Sequence, residues 1–93
     1  MPKNTTASLT AQNTFTDAVQ LDAGKKAAIS ISGTFSATVT VQRRLDGSNW
    51  RDVQSFTAAA EQTFDAGVGQ EIRVGVKTGD YTSGTVACLI SKE

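Results

Sequence analysis

Val39 to Val53, VTVQRRLDGSNWRDV, reads as strand, tight turn, strand. Val39 and Val41 alternate with Thr38, Thr40 and Gln42, the period-two pattern of a half-buried strand. Asp46-Gly47 is a dipeptide suited to the positive φ of a hairpin turn. Trp50 and Val53 restart apolar character on the far limb. Trp50, Val53 and Phe56 are spaced by three, which predicts a β-bulge that resets the register. The stretch sets the fold class and carries no catalytic set.

Shorter runs repeat this grammar on either side. Thr14 to Leu21 places Phe15, Val19 and Leu21 on one side, interrupted at Asp17. Lys26 to Ser32 alternates Ala27, Ile29 and Ile31 inward with Ala28, Ser30 and Ser32 outward. Phe35 to Arg44 forms the first limb of the opening hairpin. Glu71 to Lys77 points Ile72, Val74 and Val76 inward, and Thr85 to Ser91 does the same with Val86, Cys88 and Ile90. Thr57 to Gln62 has the best helix propensity but is too short to hold a helix alone, and reads as a loop or single turn. Turn residues recur every 8–12 residues and no helical period is sustained. About seven or eight short strands in one all-β domain follow: a small antiparallel β-sandwich, Ig-like or jelly-roll-like. Residues 1–12 read as a polar N-terminal arm or edge strand, and 13–93 as the sandwich. The predicted core is Phe15, Val19, Ile29, Ile31, Val39, Val41, Trp50, Val53, Ile72, Val74, Val76, Val86, Cys88 and Ile90.

Composition bounds the function. Ninety-three residues make one domain with one modest core. Nine basic and nine acidic residues cancel. That argues against a nucleic-acid binder held by bulk phosphate attraction and against a polybasic membrane module. It also leaves little repulsion between copies. The single Cys permits no intrachain disulfide. The N-terminal run MPKNTTASLTAQNTF lacks the apolar stretch of a signal peptide, so cytoplasmic synthesis without an obvious export route is expected.

With no His in the chain, Ser-His-Asp and Cys-His arrangements are impossible. One Cys cannot build a structural zinc site. The aspartates sit mostly at turns, where Asp bonds its own backbone. No cofactor or metal is expected, and no enzyme. Arg43, Arg44 and Arg51 flank the hairpin tip, read either as solvated surface or as contacts to acidic patches on a neighbouring protein. Trp50 and Tyr81 offer a sugar-stacking platform, against the plainer reading of Trp50 as core. A faint internal echo joins Gly33-Thr34-Phe35-Ser36 before Thr38-Val39 to Gly79-Asp80-Tyr81-Thr82 before Thr85-Val86. It reads as ordinary hairpin grammar or as equivalent corners of two packed sheets.

The run Gly33 to Arg43, then Leu45-Asp46-Gly47 and Trp50, resembles a pattern in small structural proteins of tailed bacteriophage virions. Ile72 to Val86 resembles its second half, so the likeness spans roughly residues 33 to 91. Ala37 stands where Gly is usual, and a residue common between Gly47 and Trp50 is missing. The resemblance implies a virion structural protein made in the host cytoplasm, most of all a head decoration or cement protein. Its partner would be the major capsid protein or another virion structural protein, and it would act as a symmetric homo-oligomer, a trimer for preference. A neck or tail accessory protein and a carbohydrate-binding sandwich are the alternatives. Neither nucleic acid nor membrane is an expected partner. The polar arm is expected to reach a neighbour by strand addition. With the arginines, the candidate contact residues are Lys3, Asn4, Thr5, Thr6, Leu9, Arg43, Arg44 and Arg51.

Overall fold

The computed structural model describes residues 3–45, 49–65 and 67–92, with only the backbone of Lys3. The described residues form eleven strands and no helix: β1 (Lys3–Leu9), β2 (Thr14–Phe15), β3 (Val19–Leu21), β4 (Lys26–Ser32), β5 (Phe35–Ala37), β6 (Val39–Arg44), β7 (Arg51–Phe56), β8 (Ala60–Asp65), β9 (Gln70–Val76), β10 (Tyr81–Gly84) and β11 (Val86–Lys92). One sheet has the order β1-β11-β4-β8. The other runs β2-β9-β6-β7, with β3 also on β9, and β5 pairs with β10 in a small third sheet. Every pairing is antiparallel. The chain is a small antiparallel β-sandwich, as its alternation predicts.

Period-two alternation builds the core. Ile29 and Ile31 on β4 and Val86 and Ile90 on β11 face Val39 and Val41 on β6 and Ile72, Val74 and Val76 on β9, all nearly fully buried. Each such Val or Ile is worth about 1.5–3 kcal/mol over its exposed state. Cys88 lies among them. Burial pushes its thiol up to about 11, which keeps it protonated and unreactive at neutral pH.

The two echoing segments prove to be corners. β5 lies between β4 of one sheet and β6 of the other, and β10 lies between β9 and β11. They pair with each other, Phe35 opposite Gly84 and Ala37 opposite Tyr81. Gly84 sits at φ +93°, and a Cβ there would run into the backbone of Thr34 and Phe35. The Tyr81 hydroxyl donates to the Gly84 carbonyl at 2.7 Å.

Several expectations need correction. Of the two readings of the N-terminal segment, the edge strand describes it and the free arm does not: β1 ends its sheet, and all seven of its residues pair with β11. Thr5, Ala7 and Leu9 point toward the core, and Leu9 is buried rather than offered to a partner. Small inward residues hid that alternation. Thr14 to Leu21 is two strands, because the chain leaves the ladder near Asp17. Thr16 bridges the break, exchanging hydrogen bonds with the Val74 backbone through its own N–H and its hydroxyl. Thr57 to Gln62 is no helical turn; from Ala60 it pairs with β4, since sheet pairing outweighs local propensity. Of the predicted core, Phe15 and Trp50 are half-buried on an outer face and Val53 is 43 % exposed. Leu9, Leu21 and Ala27 complete the core instead. The bulge predicted from the spacing of three is present: Val41 opposes Gln54 and Gln42 opposes Asp52, leaving Val53 as the extra residue. The hairpin turn at Asp46, Gly47 and Ser48 lies outside the described residues.

Candidate functional site

The outer face of the β2-β9-β6-β7 sheet gathers most of the chain's chemistry. Alternation sends Gln42 and Arg44 of β6 outward, beside Arg73 and Glu71 of β9. Phe15 on β2 crosses β9 at Gly75, the position directly opposite it. A Cβ at Gly75 would collide with the Phe15 ring and with the backbone of Thr14 and Phe15. Glycine therefore lets Phe15 lie flat over the sheet and reach Arg73.

A stack of rings and cations results. The Arg73 guanidinium lies 3.9 Å from the Phe15 ring centre and 4.4 Å from that of Trp50. Arg44 lies 4.6 Å from the Trp50 ring centre. The ring quadrupole attracts a cation at such distances, worth about 0.5–2 kcal/mol per pair depending on exposure.

Polar partners fix the stack in place. Arg73 Nε donates to Gln42 Oε1 at 2.9 Å, and Gln42 Nε2 donates to Asp52 Oδ1 at 2.9 Å. Lys77 Nζ closes the chain on Asp52 Oδ2 at 2.7 Å. Arg44 grips Glu71 with two bonds of 2.9 and 3.2 Å, the paired geometry that favours Arg over Lys. The bonds from Arg44 hold the Glu71 carboxyl below its ordinary range. Those from Lys77 and Gln42 do the same for Asp52, which in turn raises Lys77. Arg73 has no carboxylate partner among the described residues; burial, and then the charge of Arg44, lower its pKa.

The distal end of the β6–β7 hairpin adds further charge and apolar surface. Arg43 stands directly opposite Arg51 across the ladder, both exposed. Like charges so placed repel. Leu45 and Val53, two large apolar side chains at 58 % and 43 % exposure, sit on the same hairpin. Arg43 and Arg51 share the parity of Ile72 and so leave the hairpin on the face opposite to Arg44, Arg73 and Lys77, whose neighbouring carboxylates among the described residues are Glu71 and Asp52.

The sequence candidates divide between the two sheets. Arg43, Arg44 and Arg51 come together at the hairpin end. Asn4, Thr5 and Thr6 lie on β1 of the opposite sheet; Asn4 and Thr6 face outward, and Lys3 pairs with Lys92. Arg73, Phe15, Gln42 and Glu71 were missed as site residues. Their signal was the outward register of β9 against β6, which needs the pairing to be known. Trp50 and Tyr81 make no joint sugar platform. Trp50 is covered by two guanidinium groups, while Tyr81 packs against the core from the corner sheet.

No family model and no curated protein matches the sequence. The structure of PliG from Aeromonas hydrophila, a periplasmic lysozyme inhibitor of g-type lysozyme, is similar to this chain with a TM-score of 0.51 and 13 % identity. The match covers 99 % of this chain and 86 % of PliG. The likeness carries the fold. It overturns the expectation of a virion structural protein, with its capsid-decoration and cement role and its virion location, because the matching structure is a periplasmic inhibitor. The motifs behind that expectation, Gly corners and Thr-Val strands, serve the turns and pleated strands of an antiparallel sandwich and carry no function of their own.

Proposed function

We propose that this chain is a protein-binding β-sandwich that catalyses no reaction and takes an acidic protein surface on the end of its β6–β7 hairpin. The observation behind this reading is the unbalanced charge. In a chain of zero net charge, Arg43 faces Arg51, and Arg73 is stacked between Phe15 and Trp50 with no carboxylate partner among the described residues. Cations held against repulsion gain most from an external anion. Trp and Arg with exposed apolar neighbours are also the side chains that carry binding energy at protein interfaces.

Proton-transfer chemistry has little support at this face. Glu71 and Asp52 are both held ionised by paired cations, so neither suits the role of proton donor.

The test uses polyglutamate as a minimal acidic ligand and a single-stranded oligonucleotide as its rival. Calorimetry should show binding to polyglutamate that weakens with salt and is lost in the double variant Arg43→Glu, Arg51→Glu. Equal binding by wild type and variant overturns the reading, as does preference for the oligonucleotide. The likeness to PliG supports a second reading, inhibition of a g-type lysozyme. A lysis assay with added protein tests it, and undiminished lysis rejects it.

A further inference from the structure

The sandwich manages its sheet edges unequally. β8 carries Glu61 and Asp65. β7 carries Arg51 and Asp52 and is bent by the bulge at Val53. β2 and β3 are two and three residues long, with a break between them. Charge, bulges and shortness are the devices that keep an edge from recruiting another strand. β1 has one such device, the charge of Lys3 at its outer end, and neither a bulge nor shortness. It is seven residues long, regular in register, and uncharged from Asn4 to Leu9. It ends its sheet, and among the described residues no strand lies on its far side.

We propose that this edge pairs with the same edge of a second copy of the chain, antiparallel about a two-fold axis through Thr6. The register explains why a copy fits. Thr6 meets the partner's Thr6, Asn4 meets the partner's Ser8, and Thr5 meets the partner's Ala7. Hydroxyl and small side chains oppose one another on both faces, and Thr–Thr and Thr–Ser neighbours are favourable across strands. Lys3 falls opposite the partner's Leu9, so the two lysines lie at opposite ends of the pairing and do not repel. Zero net charge adds no long-range barrier. The two four-stranded sheets become one continuous eight-stranded sheet, and the arginine-bearing hairpins remain exposed on each copy. The dimer is independent of what those hairpins bind.

Sedimentation and chemical linkage test this on the full chain. Wild type should sediment as a concentration-dependent dimer. Thr6→Lys, an exposed outward position, should sediment as a monomer with the circular dichroism of the wild-type sheet. Under copper–phenanthroline oxidation Thr6→Cys should form a disulfide-linked dimer much faster than Ser8→Cys, which meets Asn4 and not itself; buried Cys88 does not compete. A monomeric wild type overturns the proposal, and so does a dimer that survives Thr6→Lys. Equal linkage by Thr6→Cys and Ser8→Cys overturns the register.

Discussion

The two large sheets bury the same kind of side chain and present opposite chemistry to solvent. Outward from β1, β11 and β4 stand Thr6, Ser8, Ala87, Leu89, Ser30 and Ser32, bordering a shallow groove of about 460 Å³. Outward from β2, β9, β6 and β7 stand Phe15, Arg73, Glu71, Gln42 and Arg44, with Trp50 folded across them. The first face carries small side chains over β1, β11 and the end of β4, and gathers its charges, Lys26, Glu61 and Asp65, along β4 and β8. The second is thick, cross-linked by hydrogen bonds and rich in cations. A common interior therefore fixes the fold, and the outward half of each strand distinguishes the surfaces. One sheet is suited to edge-on pairing with a copy, the other to a charged partner.

Crowding the second face should have the largest effect on stability. Gly75→Ala displaces Phe15 and the backbone of β2, and should cost about 1–3 kcal/mol in urea unfolding. Ala87→Ser on the first face should stay within about 0.5 kcal/mol of wild type. Equal losses would erase the contrast. Next in size is the coupling of Arg73 to Trp50. A double-mutant cycle with Arg73→Met and Trp50→Leu should give about 0.5–2 kcal/mol. The same cycle on the exposed Lys26–Asp65 pair, 4.0 Å apart across β4 and β8 of the first sheet, should give close to zero.

Much of this was legible in the residues. The strands of the core show themselves because Ile29 and Ile31, and Ile72 and Val74, alternate with polar neighbours, while Val86, Cys88 and Ile90 recur at the same period. Even the bulge at Val53 is visible in apolar spacing. β1 was legible only as an arm or an edge strand, because its inward residues Thr5 and Ala7 are too small or too polar to mark a face. Trp50 misled for the opposite reason: a large aromatic reads as core, yet here two guanidinium groups shelter it from outside the sheet. The stack joins Phe15, Trp50 and Arg73 from three strand neighbourhoods, and no local pattern encodes which strands become neighbours.

Acid should weaken the fold through the paired carboxylates of the second sheet. Glu71 and Asp52 have folded-state pKa values below their unfolded ones. The stability they lend is therefore complete above the ordinary carboxylate range and is lost as pH falls through the folded values. Urea midpoints should drop with acidification below that range, and Glu71→Gln with Asp52→Asn should flatten the slope. An unchanged slope contradicts the assignment. The smallest signal comes from the core. With its thiol at about 11, Cys88 has a thiolate fraction of about one in ten thousand at pH 7. Labelling by iodoacetamide should be very slow in the native protein and accelerate on unfolding; rapid native labelling would show the first sheet to be open.

Trp50 is the chain's single tryptophan and lies in the stack beside the hairpin assigned to the partner, so its emission reports on that end of the sheet. Polyglutamate should shift that emission saturably at low salt, and the shift should vanish both at high salt and in the Arg43→Glu, Arg51→Glu variant. An emission spectrum that polyglutamate leaves unchanged, or one that changes equally in the variant, contradicts a hairpin built to hold an acidic surface.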